Sequence, residues 1–132
     1  SQGIRGEQIT VAVVDSGMDI QHPQLAGQVR KNSGEIADNG VDDDGNGFVD
    51  DAGGWDFVAN RPLQNDYQIH GTHVAGIVAA HHNDTLAASG PNVQGVAPAA
   101  KVLPLAFLNQ NGSGLISDGV RAIRYAVSRG AR

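Results

Sequence analysis

The sequence has no cysteine. That excludes a disulfide framework, a thiol nucleophile and a cysteine-ligated zinc site, and leaves the redox compartment open. It has no excess of positive charge either: 9 Lys and Arg face 14 Asp and Glu, for a net charge of -5. Nothing in that balance favours nucleic acid or an anionic membrane surface. No apolar run reaches the length of a membrane span, and the amino terminus lacks the basic and apolar pattern of a signal peptide. Aromatic residues make up only 5% of the chain, whereas 40% is hydrophobic, 17% charged and 18 residues are glycine. Those proportions suit an ordered, loop-rich α/β chain and argue against disorder. At 132 residues the chain is one domain with one core at most.

After a polar lead-in arm (Ser1 to Gln8), Ile9 to Val14 is a short β-branched run with little alternation, the pattern of a strand buried on both faces of a parallel sheet. It stops at Asp15-Ser16-Gly17, where a glycine lets the backbone turn at the carboxyl end of the strand. In open α/β sheets that edge is where sites are built. A turn or helix-capping role for Asp15 is the simpler alternative. His22 to Leu25 reads as a turn and Gln28 to Ile36 as a polar excursion.

The acid is concentrated. Six of the 14 acidic residues lie between Asp38 and Asp51. Within that stretch Asp42, Asp44, Asn46, Gly47 and Asp50 follow an alternating spacing that aims oxygens into one concavity, with Gly47 at the sharp turn and the Phe48 carbonyl as a further ligand. Crowding these carboxylates without a cation is electrostatically costly. The position of the bidentate Glu of a full EF-hand loop falls at Gly53. A shortened calcium loop closed by Asp50 or Asp51 is therefore expected, with an exposed, solvated acidic turn as the alternative. Trp55, in a short strand candidate from Gly54 to Val58, is expected to anchor the loop to the core.

Asn60 to Gln68 is turn-rich, and His70 then opens a segment whose Gly71, Val74, Ala75, Val78 and Ala79 give a small-residue face at helical spacing. A carboxylate and an imidazole at the edges of regular elements are two thirds of an acyl-transfer triad; a buried histidine with a satisfied hydrogen bond is the alternative. His73 is expected on the same side as His70. No Glu-containing zinc motif accompanies the histidine pairs His70/His73 and His81/His82. His81 to Gln94 reads as a loop, and Lys101 to Leu108 as an apolar strand. Pro104 removes a ladder donor and so predicts an edge or a bulge there. Asn109 to Gly114 reads as a flexible tip. Ser117-Asp118-Gly119 is placed to cap a helix with Val120, Ile123, Ala126 and Val127 on its apolar face, ended by Gly130. The succession of strand, helix, strand and helix starts a βαβ layer architecture.

Asp15-Ser16-Gly17, His70-Gly71-Thr72-His73-Val74-Ala75-Gly76 and Gly95-Val96-Ala97-Pro98 occur in this order. Together they resemble the subtilisin-like serine proteases (subtilases), from about Ile9 to the end of the chain. The resemblance implies an α/β fold of three layers, a mostly parallel sheet with helices on both faces. The 132 residues would form the amino-terminal half of one catalytic domain, with a calcium-loop insertion at about 38–51. It implies that Asp15 orients the imidazole and that His70 is the general base, later the acid towards the leaving amine. Asn111, Gly112, Ser113 and Gly114 match the segment that pairs with extended substrate, and Phe107 and Leu108 would help wall adjoining subsites. His73 would be structural. Secretion is the family's expectation.

The sequence departs from that family pattern in three ways. Ile69, bulky and β-branched, stands before His70, where Gly or Ser is usual. Gln24 stands where many subtilisins place a calcium-binding Asp. The nucleophilic Ser motif and the oxyanion Asn do not occur, and Ser16, Ser113 and Ser117 sit in the wrong contexts to replace them.

The expectation is thus a calcium-dependent serine endopeptidase acting on peptide or protein substrates. These 132 residues would contribute Asp15 and His70 only and be inactive alone. The calcium ligands would be Asp42, Asp44, Asn46, Phe48, Asp50 and Asp51. A non-catalytic calcium- and peptide-binding module of the same descent is the alternative, and a purely structural calcium-loop domain a third reading. Neither nucleic acid nor membrane is an expected partner. Faces left for later elements to cover predict self-association or pairing with a complementary carboxyl-terminal half.

Overall fold

The computed structural model describes residues 3–82 and 93–132; most of the loop expected over His81 to Gln94 lies outside the described residues. The β-branched run becomes β1, Thr10–Asp15, and the second apolar run becomes β4, Lys101–Ala106. They pair in parallel from Thr10 opposite Lys101 to Asp15 opposite Ala106. Two short strands complete the sheet: β2, Trp55–Asp56, parallel to β4, and β3, Arg61–Pro62, antiparallel to β2. The strand order is β1-β4-β2-β3. A single 3-10 turn, Ala26–Gln28, follows the His22 to Leu25 turn, and two helices complete the described structure: α1, His70–Ala79, and α2, Ile116–Ser128.

Side-chain alternation along the strands divides the core into two layers. Val13, Val102 and Ala106 point to one face and pack with Ala75 and Ala79 of α1, together with Met18, Leu25 and Leu63. Leu103 and Leu105 point to the other and pack with Ala122, Tyr125 and Ala126 of α2, together with Trp55 and Phe57. One helix on each face of a mostly parallel sheet is the three-layer α/β architecture that the sequence predicts.

Three expectations are corrected. Pro104 is in neither an edge strand nor a bulge, since β4 lies between β1 and β2. Lys101 and Phe107 donate to carbonyls at the two ends of β1, whereas the carbonyls of Val102 and Ala106 accept from Arg30 and Phe57 on the opposite side. Alternation puts Pro104 in the second set. Its missing donor faces the gap where the neighbour of β4 changes from Val29, bridged to Val102, to Trp55, paired with Leu105. A proline is tolerated in this central strand because its nitrogen faces that break in the ladder.

The second correction concerns α2. Val120, Ile123 and Val127 are exposed, and of the expected apolar face only Ala126 is buried, alongside Ala122 and Tyr125. Two alanines let the helix lie close to the sheet, so the bulkier aliphatic stripe is turned outward. Leu115, not Ser117, is the N-cap, and it makes no side-chain capping bond; Asp118 contributes its charge to the first turn. The carboxyl end follows expectation: Gly130 has φ +81°, its N–H meets the Val127 carbonyl, and the Ala131 N–H meets that of Ala126. Third, the Asn109 to Gly114 tip is closed on itself. The Asn109 side chain accepts from Asn111 and Ser113 N–H, and its backbone exchanges bonds with Ser113 and Gly112.

Candidate active site and cation loop

Asp15 ends β1 and His70 begins α1, 55 residues later, yet His70 Nδ1 lies 2.9 and 2.8 Å from the two Asp15 carboxylate oxygens. An ionised Asp15 can only accept, so Nδ1 carries the proton, and Nε2 of a neutral imidazole offers its lone pair. The Asp15 side chain is 13% exposed and that of His70 66%, so the carboxylate is sheltered while the imidazole opens to the outside. Asp15 also accepts from the Ser16 N–H at 2.6 Å.

The pair forms because α1 begins directly on the turn after β1. Gly17 has φ +110°, and a Cβ on Gly71 would run into its carbonyl oxygen. Only glycine at 71 permits that approach. Beneath it lies a polar network that the sequence reading misses. Buried Ser16 donates to Asp66 at 2.6 Å and accepts from the Gly71 N–H at 3.0 Å. Asp66 also accepts from the Thr72 N–H at 2.7 Å and from its hydroxyl. Asp66 therefore caps α1 from outside the helix, whose formal N-cap, Ile69, makes no side-chain bond and sits at φ 66°. Burial alone would raise the Asp66 carboxyl, but the Ser16 and Thr72 hydroxyls and the Gln68 and Thr72 N–H groups hold it below the ordinary carboxylate value. An Asp four residues ahead of a helix-opening His is the signal that could have found it.

Within Asn111, Gly112, Ser113 and Gly114, Gly112 lies beside the segment entering α1. The Gln68 side chain donates to the Gln110 carbonyl at 3.0 Å, and its amide packs against Gly112. A shallow groove next to the tip is lined by Val58, Phe107, Asn109, Ser113, Leu115 and Asp118. Leu108, outside β4, donates its N–H to the Asp15 carbonyl. His73 lines a different cavity with His22 and Gln24, so it does not join His70. Gln24 donates to the Val93 carbonyl at 3.0 Å. His82 bonds the Gly95 carbonyl, and among the described residues no histidine belongs to a cluster with metal-binding spacing.

In the acidic loop, Glu35, Asp42 and Asp44 bring carboxylate oxygens within 4.8 Å of one another. Glu35 is the residue missed: it lies in the polar excursion before the loop, where no local spacing marks it. Its carboxylate receives the N–H groups of Asp43, Asp44 and Asp50, which folds the loop round it. Asp42 accepts from the Asn46 and Gly47 N–H groups. The Asn32 amide leads in holding the Asp44 carboxyl below its ordinary value. Asp50 is spent on the N–H groups of Asn39 and Gly40. Asp51 is fully buried and receives Asn32, Asn46 and the Tyr125 hydroxyl. Phe48 turns its ring inward, 5.0 Å from Trp55 and 4.8 Å from Tyr125. The donor set is all hard oxygen, and among the described residues no basic side chain forms a salt bridge with it. That chemistry suits calcium rather than zinc.

The model of the subtilase family matches residues 6–132. The chain is 38% identical over 122 residues to subtilisin-like protease 1 of Plasmodium vivax, covering 92% of this chain and 19% of that protein. It is 38% identical over 131 residues to a thermophilic serine proteinase of Bacillus sp. (strain AK1), covering 99% of this chain and 25% of the relative. Among solved structures, sphericase superposes with a TM-score of 0.66 at 27% identity, over 94% of this chain and 33% of its own. A cold adapted subtilisin-like serine proteinase gives a TM-score of 0.66 at 22% identity, over all of this chain and 36% of that one, a likeness of fold.

Proposed function

Because the chain belongs to the subtilase family, we propose that the full-length protein carrying it is a serine endopeptidase in which Asp15 and His70 are two members of the triad. The observation that carries this reading is the Asp15–His70 pair itself, with Nδ1 held by the carboxylate and the imidazole side chain 66% exposed. In that role His70 Nε2 takes the proton of a serine hydroxyl as it attacks the scissile carbonyl and returns it to the leaving amine. Asp15 fixes the tautomer and stabilises the imidazolium. The serine and the oxyanion donors would come from residues outside these 132, so the chain alone is proposed to be inactive. Asn111 to Gly114 would hold extended substrate by backbone pairing, with Phe107 beside it.

The loop at 38–51 is proposed as a calcium-binding insertion in this part of the catalytic domain. Glu35, Asp42 and Asp44 would hold the ion with Asn46 and the Phe48 carbonyl. Asp50 and Asp51, expected as ligands, would brace the loop through the bonds described. Bound calcium would supply neutralising charge and loop order, leaving the proton transfers to Asp15 and His70.

The proposed partners are a peptide substrate and the remainder of the same domain, which would cover the outward stripe of α2. No described helix is long and apolar enough to cross a membrane. Secretion is carried as a proposal for cell fractionation to decide, since one relative, from Bacillus subtilis (strain 168), is named the major intracellular serine protease. A non-catalytic binding module has no observation in its favour, because binding alone does not require the Asp15–His70 pair. The test is hydrolysis of an unfolded protein by the full-length protein and by its His70→Ala variant. Cleavage that disappears in the variant supports the proposal, and equal cleavage by both overturns it.

A further inference from the structure

The face that α2 turns to the sheet carries little shape. Ala122 and Ala126 set how closely the helix approaches, but two methyl groups do not fix where it stops along its axis. Among the buried residues of α2, Tyr125 is the one large side chain. Its ring meets Phe48 at 4.8 Å and Phe57 at 6.0 Å, both edge to face. Its hydroxyl donates to Asp51 at 2.6 Å, in a site without solvent exposure. Asp51 is held in turn by the Asn32 and Asn46 amides, at 2.8 Å each. One buried polar bond therefore joins α2 to the loop at 38–51.

The other end of α2 carries the tip. Leu115 and Asp118 line the groove with Ser113 and Asn109, and Gly114 and Gly119 both pack on Phe107, at the end of β4. Arg121 strengthens that end, pairing with Asp118 at 3.2 Å while lying 5.2 Å from the centre of the Phe57 ring. A helix is stiff along its length, so a slide released at Tyr125 reaches Leu115 and the backbone of Asn111 to Gly114.

We infer that Tyr125 is a positioning residue: by bonding Asp51 it registers α2 against the loop and so holds Asn111 to Gly114 in place for extended substrate. Its effect on substrate rests on the endopeptidase reading above; its effect on tip order does not. The bond makes a two-way link, in which a loop that loses its order loosens the tip, and a tip occupied by peptide steadies the loop.

The experiment uses the full-length protein with Tyr125→Phe, which keeps the ring and removes the hydroxyl. Leu25→Ala, in the core layer on the opposite face of the sheet, is the control for lost stability. Amide exchange is followed at 109–115 and at 38–51. KM and kcat are measured on an extended peptide and on a short ester that does not reach the tip. The inference predicts faster exchange in both segments for Tyr125→Phe. It also predicts a KM for the extended peptide raised about three- to tenfold, with kcat on the ester within about twofold and with Leu25→Ala showing neither change. Unaltered exchange at 109–115, or an equal loss on both substrates, overturns it. If the unaltered full-length protein hydrolyses neither substrate, the endopeptidase reading falls while amide exchange still decides the link. Should Tyr125→Phe not accumulate folded, Asp51→Asn goes through the same assays, with the same predicted direction and the same overturning results.

Discussion

Two residues beside His70 carry opposite lessons. Gly71 is required because its α-hydrogen faces the Gly17 carbonyl. Gly71→Ala is predicted to destabilise the protein by roughly 1–3 kcal/mol, the usual cost of forcing a methyl group into filled space. It also separates His70 from Asp15, so denaturant unfolding and activity should fall together. Ile69 is the reverse case, a β-branched residue held at φ 66° and 71% exposed, with no bond from its side chain to repay the strain. Ile69→Gly is predicted to stabilise by about 1 kcal/mol, read as a higher denaturation midpoint. The sequence marks Ile69 as unusual, but the left-handed backbone that explains why Gly fits better there is visible only in the structure.

At the scale of elements, α1 depends on Asp66 more than on any residue of its own first turn. The sign of its pH dependence follows from the depressed carboxyl. The folded value lies below the ordinary one of about 3.8, so the stabilisation is complete above that value and is lost as pH falls through the folded value. Unfolding free energy measured by denaturant titration from pH 6 down to pH 2 should therefore fall below about pH 4. In Asp66→Asn it should start lower and fall less over the same range. An identical slope in the variant would place the acid sensitivity elsewhere.

Legibility follows the same division. The strands β1 and β4 and the helix α1 are readable because runs of β-branched and small residues state their burial locally. Glu35 and Tyr125 are not, because their partners lie 8 to 74 residues away in sequence. Pro104 misleads because a proline reports a missing donor without reporting whether an acceptor faces it. The apolar positions of α2 report a face that needs covering, and nothing local says which of its two candidate faces the sheet takes.

At the scale of the molecule, Ile116, Val120, Ile123 and Val127 form an exposed aliphatic stripe along α2. Such a face favours association. The 132-residue chain alone should self-associate in sedimentation, and replacing Ile123 and Val127 by Gln should shift it towards monomer. A well-folded monomer at all concentrations would contradict this.

The central claim is that Asp15 and His70 activate a nucleophile, and the most direct measurement is the rate at which a fluorophosphonate labels the full-length protein. The account predicts labelling of one serine, at least about 10⁴-fold slower in His70→Ala and severely slowed in Asp15→Asn, as loss of triad members does in serine proteases generally. Labelling at an unchanged rate in either variant would contradict it.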